Sequence, residues 1–184
     1  MEKREKSSRI IVFIVFIPFL IFILLQFLAP ISLPQGSVND LSGMTAITDN
    51  ENIIDDMSAP WNFVYGAGDR LCHQISERSF FINENQMPFC ARCTAIFLGI
   101  TIGIGIMIFI KIKLDYKFIF LIFAGLIPIA IDGLGQHFEL WESTNISRLI
   151  TGLLIGIITG ITISIIIDEF YEMFDTRKNR KIIN

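Results

Sequence analysis

From Ile10 to about Leu33 the chain is almost continuously apolar, interrupted by Pro18 and Gln26, and that is long enough to cross a hydrocarbon core of roughly 30 Å. Three further apolar runs follow, at about Thr94 to Ile112, Phe118 to Phe138 and Arg148 to Ile167, each near the length a membrane helix requires. The pattern predicts an all-α membrane protein, a four-transmembrane-helix bundle with an external loop between helices 1 and 2. A signal peptide would also begin with a basic stretch such as Lys3, Arg4, Lys6 and Arg9, but its apolar core is about 7 to 15 residues. The longer run here reads as an uncleaved anchor. Between Gln35 and about Pro60 the chain is polar and acidic, with Asp40, Asp49, Glu51, Asp55 and Asp56 and no clear period. Four segments result: 1–33, a basic cytoplasmic N-terminus and first anchor; 34–69, an external polar linker; 70–170, the motif-bearing region with three transmembrane helices; and 171–184, a basic cytoplasmic tail.

Composition agrees with this reading and removes other classes. Hydrophobic residues are 52% of 184 and charged residues 18%, outside the range of an ordinary soluble domain. The chain is too short for a bundle plus a separate soluble enzyme domain, and too poor in polar residues for a nucleic-acid surface. The formal charge is -3, but in a membrane protein the side each charge occupies matters more. Eleven of the fifteen cations fall before the first span, in Lys111 to Lys117, or in Arg177 to Lys181. The positive-inside rule then puts both termini and the middle loop in the cytoplasm of a plasma-membrane protein, with Pro34 to Cys93 and the turn Glu139 to Ser147 outside.

The other four cations are Arg70, Arg78, Arg92 and Arg148, so every externally placed cation is an arginine. A planar guanidinium fork suits fixed hydrogen bonding to carboxylates, phosphates or carbonyls; four arginines at a headgroup surface by chance is the plainer reading. Gly152, Gly156 and Gly160 recur every four residues on the last span, and Gly99 and Gly103 do so on the second. This spacing lets helix backbones approach closely in lipid. Such faces serve packing within the bundle, and they also suit a homo-oligomer or another membrane partner beside the lipid bilayer.

All three cysteines, Cys72, Cys90 and Cys93, lie within twenty-two positions on the external side, with His73 beside the first. Cys-His, sixteen residues, then Cys-x-x-Cys supplies four donors of the kind that hold zinc tetrahedrally. Adjacent side chains diverge in extended or helical backbone, so Cys72 and His73 share one ion only if the chain turns there. The three thiolates are the firmer set, with His73 or His137 as fourth ligand and zinc as the expected ion. Bonds near 2.3 Å require the sulfurs to converge to within about 4 Å of one another. Two other chemistries compete. Cys90 and Cys93 stand just before a helix, where the N-terminus and Arg92 favour a thiolate, as in a membrane thiol-disulfide oxidoreductase coupled to a quinone. That relay generally uses a second cysteine pair, and only Cys72 remains. A structural disulfide from Cys72 to Cys90 or Cys93 would instead staple the external segment to the bundle.

Cys72-His73-Gln74, Arg78-Ser79-Phe80 and Pro88-Phe89-Cys90-Ala91-Arg92-Cys93-Thr94 followed by Gly99 resemble a prokaryotic family of small membrane proteins, domain of unknown function 2085. The resemblance continues through Pro128, Asp132-Gly133, Gln136, Ser143-Thr144-Asn145, Arg148 and Thr151-Gly152, and so covers about Arg70 to Gly156. The family commonly has glycine after the threonine, where this chain has Ala95, a departure that bears on helix packing and touches no proposed ligand. The resemblance implies membrane location and marks residues without naming a reaction.

Helix arithmetic places those residues. Asp132 is fifteen positions from Lys117, so at 1.5 Å per residue it lies roughly 22 Å from the inner edge, near the level of Cys93 and Arg148. Asp132 and Gln136 are four apart and share a helix face, with Arg92 or Arg148 available as counter-charge. A buried Asp-Arg pair that only orients helices accounts for them equally well. Gln74, Arg78, Arg92, Asp132, Gln136, His137 and Arg148 are therefore expected to form a polar layer around the metal site, with His137 the weakest member. Ser143, Thr144, Asn145 and Ser147 precede the last span and suit helix capping, while Trp61, Tyr65 and Trp141 suit the membrane interface.

Overall fold

A computed structural model describes residues 2–41 and 43–183; the side chains of 2–6 and 175–183 fall outside that description, and with them the basic clusters at Lys3 to Lys6 and Arg177 to Lys181. The elements run in the order α1 (Glu2–Ser32), α2 (Glu51–Ile54), α3 (Trp61–Leu71), a 3-10 turn (Ser76–Arg78), β1 (Ser79–Ile82), β2 (Asn85–Cys90), α4 (Ala91–Phe109), α5 (Tyr116–His137) and α6 (Asn145–Ile183). The protein is mostly helical. Among the described residues, four stretches are long and apolar enough to cross a membrane: Ser7–Ser32, Ala91–Phe109, Tyr116–His137 and Asn145–Phe174. The backbone of α6 runs on past Ile167, where the apolar run ends, so the last helix is longer than its hydrophobic pattern suggests.

Helices α4 and α6 lie side by side and parallel, in contact through their glycines. A Cβ on Gly152 would meet the Arg92 carbonyl oxygen at 2.7 Å, one on Gly156 the Ile96 oxygen at 2.4 Å, and one on Gly160 the Ile100 oxygen at 2.3 Å. Gly99 and Gly103 make the reciprocal contacts, 2.6 Å from Leu153 O and 2.3 Å from Ile157 O. Ala95 is fully buried in this seam, facing Gly152. Val12 of α1 joins Ile100, Ile104, Met107, Phe118, Ile161 and Ile165 in one core cluster. The outward faces of α1 and α5 carry Ile14, Ile21, Phe120, Phe123 and Ile127, all exposed, as expected where lipid replaces water.

The two ends of the bundle differ in chemistry. At one end the Ser8 hydroxyl donates to Asp168, and Lys111 Nζ lies 3.7 Å from both Asp168 and Glu172. The start of α1, the loop after α4 and the later part of α6 therefore meet there. At the other end residues 34–69, expected as a polar linker, are folded into a cap. Ala29, Val38, Leu41, Ile54, Met57, Val64 and Tyr65 form its buried cluster. Asp69 is buried and accepts from Asp49 N (3.0 Å), Asn50 N (3.4 Å) and Asn50 Nδ2 (2.6 Å), which ties the loop to α3. Tyr65 is not interfacial: it is fully buried and donates to the Gln86 carbonyl at 2.7 Å. Apart from Ala29 of α1, these core residues sit on turns and short helices, so their spacing follows neither a strand nor a helix period.

A β-hairpin completes the cap. Its two-residue turn, Asn83 and Glu84, has φ of 54° and 58°, the doubly left-handed geometry whose twist matches paired strands. β2 is buried along almost its whole length, and its polar side chains bond loop backbone instead of water. Asn85 Nδ2 donates to Pro30 O (2.9 Å) and Pro34 O (3.0 Å), and its Oδ1 accepts from Val38 N (2.9 Å). Gln86 accepts from Leu41 N at 2.9 Å and donates to Gln74 O at 2.5 Å. Buried amides satisfied in this way hold the cap in register on the bundle.

Candidate metal centre

The three cysteines arrive from three elements. Cys72 ends α3 in extended backbone, with φ -139° and ψ 149°; Cys90 closes β2; Cys93 lies in the first turn of α4. Gln74 draws the first two together. It takes a left-handed φ of 46°, which reverses the chain after Cys72, and its Nε2 donates to the Pro88 carbonyl at 2.8 Å. α3 also approaches β2 so closely at Gly68 that a Cβ there would lie 2.0 Å from Pro88 O.

The sulfurs of Cys72, Cys90 and Cys93 all lie within 4.8 Å of one another, and no disulfide joins them. Tetrahedral bonds of 2.3 Å set a sulfur separation of roughly 3.8 Å. The bound is wider than a closed site needs, and closing it asks for a movement of at most about 1 Å. The Cys72 sulfur, which is buried, accepts from Gln74 N at 3.5 Å and Cys90 N at 3.4 Å. Contacts from Cys72 first and Cys93 second hold the Cys90 thiol well below the usual thiol range, opposed by burial. Cys72 is pushed the other way, first by its contact with Cys90. Three thiols brought together in this way have the donor chemistry of a soft-metal site or a reactive thiolate.

Neither histidine joins the sulfurs. His73 is exposed, with Nδ1 3.2 Å from Gly43 O, because the extended backbone at Cys72 sends adjacent side chains apart. His137 is exposed at the end of α5 and stands edge-on to Phe138, ring centroids 5.4 Å apart.

Directly beside the sulfurs is a polar layer. Asp132 is buried on α5 and accepts from the Arg92 guanidinium, from Ser143 Oγ at 3.0 Å and from Ser147 Oγ at 2.9 Å. With its amide turned so that the oxygen faces the guanidiniums, Gln136 accepts from Arg148 Nη2 at 3.0 Å and Arg78 Nη2 at 2.9 Å. Arg148 also donates to Asn145 Oδ1 at 3.0 Å. Through the shared Gln136 oxygen the guanidiniums of Arg148 and Arg78 are brought together. Asn145 Nδ2 reaches the carbonyls of Glu77 and Ser79, both at 3.3 Å, which fastens the hairpin to α6. Thr144 caps that helix, its hydroxyl accepting from Ser147 N at 3.2 Å.

Sequence reasoning treated Ser143, Asn145 and Ser147 as caps, and they turn out to bond the buried charges. Gly68, Asn85 and Gln86 escaped it altogether. The one available signal was a pair of amides, Asn85-Gln86, directly ahead of the Met-Pro-Phe-Cys run.

The family model described as a predicted membrane protein, DUF2085, matches residues 72–162, a stretch that begins at Cys72, takes in the whole polar layer and leaves out α1 and the cap segment 34–69. An uncharacterised protein of Methanocaldococcus jannaschii is 37% identical over 120 residues, covering 61% of this chain and 74% of its own. An uncharacterised protein of Methanothermobacter thermautotrophicus is 33% identical over 87 residues, covering 47% of this chain and 78% of its own. No solved structure matches the chain.

Proposed function

The chain belongs to the DUF2085 family of predicted membrane proteins, and on that premise we propose that it is a multi-pass protein of the plasma membrane carrying a Cys72, Cys90, Cys93 metal centre on its outer face. Zinc is the favoured ion, since three thiolates on a compact scaffold suit it. The observation that carries the reading is the convergence of three sulfurs from three separate elements to within 4.8 Å, with two backbone amides directed at one of them. With both histidines standing apart, the fourth ligand is a water or a small molecule reaching the half-buried side of Cys90 and Cys93. An exchangeable position of this kind suits binding or catalysis rather than a purely structural ion. The distribution of Lys and Arg supports cytoplasmic termini, and the meeting of Ser8, Lys111 and Asp168 at the end opposite the cysteines agrees with it.

Elemental analysis of detergent-purified protein tests this reading. One equivalent of metal is expected, lost in Cys72→Ser, Cys90→Ser and Cys93→Ser variants. Wild-type protein without stoichiometric metal, and no difference among the variants, would overturn it. A second reading has its own support: Cys90 and Cys93 are both half-buried at the start of α4, where a thiolate is favoured. Alkylation mass shifts in cells separate the two, because a thiol-disulfide oxidoreductase cycles this pair whereas a metal centre keeps all three thiols reduced and protected.

A further inference from the structure

Arg78, Arg92 and Arg148 gather at Asp132 and Gln136, which lie one turn apart on α5. Among the described residues Asp132 is the one acid within ion-pair distance of them, and its partner is Arg92. Arg78 and Arg148 instead share the neutral oxygen of Gln136, at 2.9 and 3.0 Å. A carboxamide dipole does not cancel two positive charges that meet on it, and Arg148 is only 5% exposed. An uncompensated buried ion is strongly unfavourable, and more so where the surroundings are membrane helices. The Arg92 Nε is also buried without an acceptor. Arg92 lies in the first turn of α4 and Arg148 in the first turn of α6, where the helix dipole adds partial positive charge.

The charge balance is short of negative charge on either account of the cysteines. Three guanidiniums against one carboxylate leave an excess of two positive charges. Three thiolates around a divalent ion would contribute one net negative charge, next to Arg92, which stands between Cys90 and Cys93 in the chain, and an excess of one would remain. What is missing is an acceptor with several oxygens and one or two negative charges. Guanidinium forks match tetrahedral phosphate oxygens in pairs. Arg78 and Arg92 are each only partly buried, which leaves the cluster approachable.

We propose that Arg78, Arg92, Arg148 and Gln136 form a binding site for a phosphate oxyanion at the outer edge of the bundle, beside the cysteine cluster. The ligand is either a phosphorylated solute or the phosphodiester of a lipid headgroup; both present the same oxygens to the same forks. The inference deepens the proposed function and rests on it for the placement of the site, not for the metal.

Full-length protein in detergent is titrated with inorganic phosphate against chloride at matched ionic strength, and separately in micelles doped with phosphatidylglycerol or with uncharged diacylglycerol. Thermal unfolding and isothermal titration are read for each. A saturable response to phosphate or to phosphatidylglycerol is expected, with apparent affinity at least tenfold weaker in Arg78→Gln and weakened in Arg148→Lys, which keeps charge but loses the fork. A response to phosphate alone supports a solute, and one to phosphatidylglycerol alone supports a lipid headgroup. Absence of any response beyond the chloride and diacylglycerol controls overturns the proposal, as does Arg78→Gln binding like wild type. Arg78 lies outside the spans, so this variant keeps the test available if Arg148 variants fail to fold. Metal content measured on the same wild-type preparation separates the two ideas: metal without an anion response sinks this inference alone, and an anion response without metal sinks the metal centre alone.

Discussion

At Gly68 a single hydrogen in place of a methyl group determines whether α3 and β2 meet. A Cβ there would lie 2.0 Å from Pro88 O and 2.6 Å from Gln74 Nε2, and neither atom is free to yield, because they are hydrogen-bonded to each other at 2.8 Å. Gly68→Ala is expected to destabilise the protein by ~1–3 kcal/mol through overpacking, seen as a lower Tm. It should also lower metal retention, since Pro88 stands two positions before Cys90; a variant with unchanged Tm and full metal would remove Gly68 from this account. Asp132 poses the opposite problem, that of a removed partner. Asp132→Asn leaves three guanidiniums without a carboxylate, and breaking one side of a buried pair costs about 3–5 kcal/mol. Thermal unfolding checks this, and a loss below about 1 kcal/mol would show that the pair is solvated in the membrane-embedded protein.

At the scale of elements, the seam between α4 and α6 sets the frame on which the site is built. Because Gly152 faces the Arg92 carbonyl directly, the distance between these helices fixes where Arg92 and Cys93 stand relative to Arg148. Gly156→Ala would bring a Cβ to 2.4 Å from Ile96 O, and a cost of ~1–3 kcal/mol is expected. Gly133 on α5 is the control, since nothing lies within 4 Å of its Cβ position. Gly133→Ala should fall within ~0.5 kcal/mol of wild type or raise stability, because alanine has the higher helix propensity. Equal losses at both positions, measured by unfolding in the same detergent, would mean that close backbone approach does not matter here. The long α6 shows why helix ends are poorly read from hydropathy. Lipid-facing residues stop at the membrane edge, while backbone hydrogen bonding continues through Asp168, Glu169 and beyond.

For the whole molecule, the two ends carry different chemistry, and the expected orientation follows from which end faces the cytoplasm. A membrane-impermeant maleimide applied to intact cells is predicted to modify Cys90 and Cys93 once metal is removed by a chelator, and to leave them untouched before. Labelling that requires permeabilised cells would invert the topology and move the arginine cluster to the inner side. Contact with the lipid bilayer is a property of the molecule in either orientation, given four apolar spans and the family to which it belongs.

The sequence by itself determined the four spans, their approximate limits and the family. Apolar length and small-residue spacing are local properties, and lipid imposes them on every helix independently. The level shared by Asp132, Arg92 and Arg148 also followed from counting residues along rigid helices. Tertiary structure alone decided that residues 34–69 are a folded cap, that Tyr65 is buried, and that His73 turns away from the sulfurs toward Gly43. It alone showed Ser143, Asn145 and Ser147 bonding to buried charges. Each of these depends on contacts between positions distant in the chain, where backbone turns of no fixed period set the direction of a side chain, and no local pattern encodes that direction.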